Sequence, residues 1–149
     1  MNVQIKKLNE NAKVPFYATP YSAGCDLYAC IEEEITIEKG QTKLIPTGLA
    51  MAIPEGYVGL IYARSSLACK QGLAPANKVG VIDADYRGEI MVALYNQSEE
   101  AKTIAPADRI AQLVITPYLK AEFVETKTLE ELRNIYSNSN KGQRVQLGK

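Results

Sequence analysis

A loop near the middle of the chain carries the residues best suited to acid–base chemistry. The stretch VGVIDADYRGEIMVALYN occupies residues 79–96. Its runs 79–82 and 90–94 have the β-branched and apolar composition of strands, which predicts a hairpin with a polar loop. Asp83 follows the first run directly and is the leading candidate for proton transfer, because an aspartate at a strand end can be held within hydrogen-bond reach of a water molecule. The alternative role is an Asx-turn acceptor that closes the hairpin.

The sequence contains no histidine. Proton transfer near neutral pH must therefore use a carboxylate, lysine, tyrosine or thiol, and a metal site must use oxygen or sulfur ligands. The three cysteines, Cys25, Cys30 and Cys69, are scattered and lack the paired spacing of a zinc site. Their odd number is typical of free thiols in a reducing compartment, so we expect a cytoplasmic protein.

Three further clusters place polar side chains inside apolar sequence. In SAGCDLYA, Asp26 is either an acceptor for backbone N–H groups or an anchor for a cation. In ARSSLACKQG, Arg64, Ser65 and Ser66 follow a predicted strand, where they either contact phosphate oxygens or cap the next turn. In ADRIAQLVI, Arg109 and Gln112 either face a ligand or satisfy each other across a subunit contact. In the central loop described above, Tyr86 either stacks on a ligand or covers apolar surface.

Composition excludes several classes of function. The 149 residues are enough for one domain, and 17 basic residues balance 17 acidic ones, so no net charge attracts nucleic acid or an anionic membrane. The N-terminus has no apolar signal segment, and no run of eighteen apolar residues occurs. P-loop, dinucleotide-binding and HExxH motifs are absent from the sequence.

The alternation of short apolar runs with turn residues predicts an all-β domain. Short runs separated by glycine and proline favour a sandwich, jelly roll or closed barrel over a parallel α/β sheet. The predicted strands lie at residues 34–37, 43–45, 49–53, 57–63, 103–104, 109–116 and 121–125. Residues 66–70 are expected to form a helical turn, and Thr128 to begin a helix through a capping box with Glu131. Residues 137–149 are expected to be a mobile tail or an arm on a partner.

In order along the chain, AGCDLYA, ARSSLA, NKVGVIDADYRGEI and DRIAQLVI resemble the first four motifs of the trimeric deoxyuridine triphosphatases (dUTP pyrophosphatases), and the resemblance covers about residues 6–123. It implies a single-domain jelly roll of the β-clip type over residues 1–125, with a C-terminal arm over residues 126–149. It also implies a homotrimer with active sites between subunits.

The resemblance also implies a reaction and a role for each site residue. Water would attack the α-phosphorus of dUTP, giving dUMP and pyrophosphate. This reaction would remove dUTP from the nucleotide pool and supply dUMP for dTMP synthesis. Asp83 would activate the water and also bind the substrate by meeting the sugar 3′-hydroxyl, and Tyr86 would lie against the deoxyribose and exclude a 2′-hydroxyl. Asp26 would support Mg²⁺ through water molecules. The implied binding set for uracil and phosphates comprises Asn77, the backbone of Val81, Ile82 and Met91, the side chains of Arg64, Ser65 and Ser66, and Gln112.

The end of the sequence departs from this family. The family pattern RGxGGFGSTG folds over the nucleotide, with its arginine on the γ-phosphate and its phenylalanine stacked on uracil, whereas here residues 140–149 read NKGQRVQLGK. We therefore expect weakened catalysis with binding partly retained. One set of codons for residues 141–149 encodes Arg-Gly-Ser-Gly-Phe-Ser-Ser-Gly when it is read one base later, so we hypothesise a frameshift. Ala63 also replaces a common proline, which loosens the backbone before Arg64.

Two alternatives to a dUTP hydrolase stay open. One is an enzyme that resembles a dCTP deaminase, which shares the jelly roll and the Arg-Ser-Ser phosphate site. The other is a dUTP-binding regulatory trimer with little turnover. A jelly roll that serves only in assembly is the residual option, but it leaves Arg64, Asp83 and Tyr86 unexplained.

Overall fold

A computed structural model describes residues 1–139 of the chain. Residues 1–119 form one compact unit, and residues from Lys120 onward form a second. The first unit contains eleven strands, all paired antiparallel, and one five-residue π-helix, Leu67–Gln71. The strands are β1 (Gln4–Lys7), β2 (Cys25–Tyr28), β3 (Ile35–Ile37), β4 (Thr42–Pro46), β5 (Leu49–Ala52), β6 (Tyr57–Tyr62), β7 (Leu73–Pro75), β8 (Gly80–Ile82), β9 (Met91–Asn96), β10 (Lys102–Ile104) and β11 (Arg109–Pro117).

The strands form four small sheets, which confirms the predicted all-β, jelly-roll class. The largest has the order β2-β11-β6-β8 and the next has the order β4-β9-β7. Two strand pairs, β1-β5 and β10-β3, complete the set. Neighbouring strands are often far apart in sequence, as expected where Greek-key connections wrap sheets around one core.

The core explains why the short strands hold together. Alternate residues of β2, β5 and β9 are buried, the period-2 pattern of strands with one face against a core. Leu27, Ile45, Leu94 and Ile110 have no solvent exposure. Burial of such side chains contributes roughly 1.5–3 kcal/mol each to folding.

Asn96 is a buried polar residue with all its hydrogen-bonding groups satisfied. Its side-chain amide donates to the Ile37 carbonyl and to the Glu100 carbonyl, both at 2.8 Å, and its oxygen accepts from the Ser98 backbone at 2.9 Å. The residue has no solvent exposure. It therefore fastens the end of β9 to β3 and to the loop before β10.

We expect Asn96→Ala to lower the free energy of unfolding by at least about 2 kcal/mol, because it leaves buried carbonyls without hydrogen-bond donors. Urea denaturation measures this. Gln97→Ala is the control, since Gln97 is exposed and should change stability by less than about 0.5 kcal/mol. Equal stability of the two variants would contradict the assigned role of Asn96.

The structure corrects two of the predicted β elements. The runs 79–82 and 90–94 do not pair as a hairpin, because β8 pairs with β6 in one sheet while β9 pairs with β4 and β7 in another. The central loop therefore links two sheets. Residues 121–125 form no strand, because they are exposed and pair with nothing in the part of the chain that the structure describes. Phe123 is 94% exposed.

Both predicted helical segments are confirmed. The π-helix follows Ser66 and ends at Gly72, whose positive φ of 71° suits glycine. In the second unit, helix α1 spans Leu129–Ser139, and the Thr128 hydroxyl accepts from the Glu131 backbone at 3.1 Å. Residues 137–139, predicted as tail, continue α1, while the rest of the predicted tail lies outside the described residues. The predicted division at residues 125 and 126 stays a prediction.

Candidate functional site

The sequence-predicted site residues fall into two groups within residues 1–119. One group lies at the shared ends of β2, β11 and β6, and contains Asp26, Arg64, Ser66 and Gln112. The other surrounds a cavity beside β8, and contains Asn77, Val81, Ile82, Tyr86 and Met91. Ser65 is exposed beside the first group, and Asp83 follows the last cavity-lining residue of β8.

The first group is organised around the Asp26 carboxylate. Antiparallel pairing places Asp26 opposite Gln112 on β11, and Gln112 opposite Tyr62 on β6. Arg64 follows β6 by two residues, and its Nε donates to Asp26 Oδ1 at 2.9 Å. The two side chains are only 20% and 14% exposed, so the ion pair is shielded from solvent. Asp26 thus holds a guanidinium cation of the chain, while its predicted backbone N–H partners are absent among the described residues.

A second guanidinium completes this group. Arg109 Nη1 lies 3.9 Å from Asp26 Oδ2. Arg64 Nη1 also donates to the Ser66 hydroxyl at 3.3 Å. Two guanidiniums and a hydroxyl meet beside this carboxylate, and such donors suit a polyanionic ligand such as a phosphate chain, while the Asp108 carboxylate lines the same cavity as the guanidiniums. Arg64 and Arg109 also line a polar cavity of about 380 Å³.

Gln112 is held rigidly within the same group. Its Nε2 donates to the Ala63 carbonyl at 2.9 Å, just before Arg64. A Cβ on Gly24 would lie 2.3 Å from Gln112 Oε1, so only glycine leaves room for this amide. Gln112 therefore fixes the backbone from which Arg64 extends. Within the single chain, Arg109 approaches Asp26 and Gln112 donates to Ala63, and the alternative of an Arg109–Gln112 pair across a subunit contact stays a prediction.

The second group lines a cavity of about 190 Å³ formed by β8, the loop after it and the start of β9. Pockets for drug-sized ligands span roughly 300–1,000 Å³, so this one suits a single ring. Asn77 lies in a turn that the Lys78 backbone closes by donating to the Pro75 carbonyl at 3.1 Å, and Lys78 has a φ of +66°. Glu89 and Ile90, which the sequence reasoning did not select, also line the cavity.

The loop that carries Asp83 is braced by backbone and side-chain hydrogen bonds. The Tyr86 backbone donates to the Asp83 carbonyl at 3.1 Å, and Arg87 Nη1 donates to the Ala84 carbonyl at 2.6 Å. A backbone β-turn thus closes the loop, and the Asp83 carboxylate has no hydrogen-bond partner among residues 1–139. The Asx-turn alternative is not realised. The exposed carboxylate is free to contact a water molecule or ligand.

The thiols are poorly suited to the proton transfer considered for them. Burial raises the pKa of Cys25, and burial with the nearby Glu89 charge raises the pKa of Cys30. Both thiols therefore stay protonated near neutral pH, and all three cysteines are free. Among the acid–base groups of the two site groups, the carboxylates remain the available bases.

The same residues offer few ligands for a metal ion. Over residues 1–139, no three histidine, cysteine, aspartate or glutamate side chains converge on one point. Asp26 offers one carboxylate, with Oδ1 occupied by Arg64 and Oδ2 less tightly engaged. This fits Mg²⁺ only where most ligands come from a bound triphosphate and water, the arrangement that suits an ion reluctant to dehydrate.

The chain is similar to several known proteins. The dUTPase family model matches residues 10–142. The chain is 53% identical over 120 residues to the deoxyuridine 5′-triphosphate nucleotidohydrolase of Desulfitobacterium hafniense, covering 80% of each chain. A dUTPase mutant of Staphylococcus bacteriophage 80alpha, solved with dUpNHpp, has a TM-score of 0.79 at 29% identity, covering 87% of this chain and 90% of that one.

A further solved structure bears on the metal. A mutant dUTPase from phage phi11 of S. aureus, described for the coordination of a structural Mg(II) ion, has a TM-score of 0.76 at 28% identity. The match covers 87% of this chain and 99% of that one. Within residues 1–139, no helix of this chain is long and apolar enough to cross a membrane.

Proposed function

Because the chain belongs to the dUTPase family, we propose that it hydrolyses dUTP to dUMP and pyrophosphate. The observation that carries the proposal is the pairing of two distinct groups in one domain. One is a guanidinium-rich cluster suited to phosphates, and the other is a ring-sized cavity next to a free carboxylate. A pure binding trimer would not need the unpartnered Asp83 at the cavity margin.

The chain's own residues divide the work of this reaction. Asn77 and the backbone of Val81, Ile82 and Met91 bind the uracil edge in the 190 Å³ cavity, where a close wall leaves no room for the thymine methyl. Tyr86 lies against the deoxyribose. Asp83 orients the attacking water and accepts its proton as the bond to the α-phosphorus forms.

The triphosphate is held by the cluster around Asp26. Arg64, Ser65 and Ser66 bind phosphate oxygens, and the positive charge lowers the repulsion that an incoming nucleophile meets. Gln112 keeps the Arg64 backbone in place. Asp26 would support a Mg²⁺ ion brought by the triphosphate, and the ion would supply further charge neutralisation when bound.

We also propose that three copies assemble and that active sites lie between them. Strands β4 and β9 pair so that Leu44 lies opposite Ala93 and Pro46 opposite Met91. On that face Leu44 is 63% exposed and Tyr95 is 37% exposed in the single chain. An apolar sheet face of this kind is typical of a buried interface between copies. Solution mass from light scattering should equal three times the 16.4 kDa chain.

The activity is tested by measuring pyrophosphate release from dUTP with and without Mg²⁺. We expect Mg²⁺-dependent release and no ammonia from dCTP, the product that a deaminase would give. Tight dUTP binding with no product would instead favour the regulatory trimer. The three free cysteines support a location in the reducing cytoplasm.

A further inference from the structure

Glu89 connects the loop after β8 to a distant turn. Its Oε2 accepts a hydrogen bond from the Gly48 backbone at 2.9 Å. Gly48 lies in the turn between β4 and β5, where its φ of +70° favours glycine and a Cβ would lie 2.8 Å from Cys30 Sγ. The carboxylate therefore reaches a backbone N–H that no residue with a side chain could present in the same place.

The backbone around Glu89 is fastened to the same turn. The Ile90 carbonyl accepts from the Thr47 hydroxyl at 2.6 Å and from the Thr47 backbone at 3.2 Å. The Ile90 backbone in turn donates to the Leu49 carbonyl at 2.8 Å. Thr47 has no solvent exposure, so these bonds are shielded from water. Residues 89–90 thus form a fixed platform at the edge of the nucleotide cavity.

The Tyr86 side chain contacts the backbone of residues 88 and 89, next to that platform. Its hydroxyl donates to the Glu89 carbonyl at 2.8 Å. Its ring lies so close to Gly88 that a Cβ there would come within 2.7 Å of the hydroxyl oxygen and 2.9 Å of Cζ. No hydrogen bond between the Tyr86 hydroxyl and a side chain occurs in the described part of the chain. The ring position therefore depends on where the 88–89 backbone lies.

We propose that Glu89 is a positioning residue for sugar selectivity, which acts by fixing the backbone on which Tyr86 rests. This inference rests on the proposed dUTP hydrolysis, in which Tyr86 excludes a 2′-hydroxyl. Losing the Glu89–Gly48 hydrogen bond leaves the backbone anchored only at Ile90, so residues 88–89 shift and the Tyr86 ring moves away from the sugar. A ribonucleotide gains access, while the groups that bind phosphate stay in place.

The proposal needs a hydrogen-bond acceptor at position 89 and not a negative charge. A glutamine side chain has the same length, and its carbonyl oxygen can accept from the Gly48 backbone. Glu89→Gln should therefore keep the selectivity of the natural chain. Glu89→Ala removes the acceptor and should lose it.

The experiment compares kcat/KM for dUTP with kcat/KM for UTP, since this ratio does not depend on the fraction of folded protein. We expect the ratio to fall about tenfold in Glu89→Ala and to stay unchanged in Glu89→Gln. Gly88→Ala provides a second route that leaves Glu89 intact, and it should lower the ratio because its methyl group displaces the Tyr86 ring. In a Tyr86→Ala background, Glu89→Ala should have no further effect on the ratio.

An unchanged ratio in Glu89→Ala would overturn the proposal whatever Gly88→Ala does, as would an equal fall in Glu89→Gln and Glu89→Ala. If Glu89→Ala does not fold, Glu89→Met takes its place, because it keeps the side-chain length without the carboxylate acceptor and should lower the ratio in the same way. If the proposed function itself is wrong, the natural chain releases no pyrophosphate from dUTP, and this result is distinct from any change in the selectivity ratio.

Discussion

Asp83→Asn is expected to lower kcat for pyrophosphate release from dUTP by about 10²–10⁴-fold, the range typical of a lost general base. Asparagine has the same shape but cannot accept the proton of the attacking water. The Asp83 carboxylate makes no hydrogen bond within residues 1–139, so its loss removes no structural contact. Binding of dUpNHpp, the compound seen with the phage relative, should change little.

Asp85→Asn is the matched control for this prediction. Asp85 lies two residues further on, in the same β-turn, and is exposed as Asp83 is. The control removes the same charge from the same loop, and we expect its kcat to stay within about twofold of the natural chain. A comparable loss in both variants would assign the effect to loop charge and would remove Asp83 from the mechanism.

Replacing residues 141–149 with Arg-Gly-Ser-Gly-Phe-Ser-Ser-Gly is expected to raise kcat/KM for dUTP by about 10–100-fold. The introduced arginine would add a donor to the γ-phosphate, and preorganised donors of this kind contribute roughly 10²–10³ to rates. The introduced phenylalanine would cover the uracil and exclude water. The family match ends at residue 142, close to where the codon argument places the change of reading frame.

The control for the tail replacement carries alanine in place of its phenylalanine. It should keep the arginine contribution and lose the part that comes from stacking. If the full replacement leaves kcat/KM unchanged, the segment as it stands already serves the reaction and the expected weakening is wrong. The gene sequence tests the frameshift separately, because codons that cannot encode the shifted peptide would exclude it.

The fold and the grouping of site residues could be predicted from sequence where the signal is local. Strands β4, β5, β6 and β11 lie where apolar runs between glycine and proline predicted them. The turn residues after Ser66 and the capping interaction at Thr128 depend on neighbours within a few positions, so they were also predictable. The four motifs identified the family because their order along the chain is far more specific than any one of them.

The rest depended on contacts between distant segments. Nothing near residues 79–94 indicates that β8 pairs with β6 while β9 pairs with β4, because register is set by the whole core. Arg109 stands out in the sequence as a polar residue within an apolar run, but its approach to Asp26 follows from the pairing of β11 with β2. Glu89 gave no signal at all, since its partner at Gly48 lies 41 residues away.

Met91 belongs both to the wall of the nucleotide cavity and to the exposed apolar face formed with β4. In the proposed trimer, one residue would therefore take part in two equilibria: its backbone in nucleotide binding and its side chain in the association of copies. Such equilibria are thermodynamically linked, so whatever factor nucleotide adds to the association constant, association must add to nucleotide affinity. A monomer would therefore bind nucleotide with lower affinity than the proposed trimer does, and bound nucleotide would stabilise the trimer.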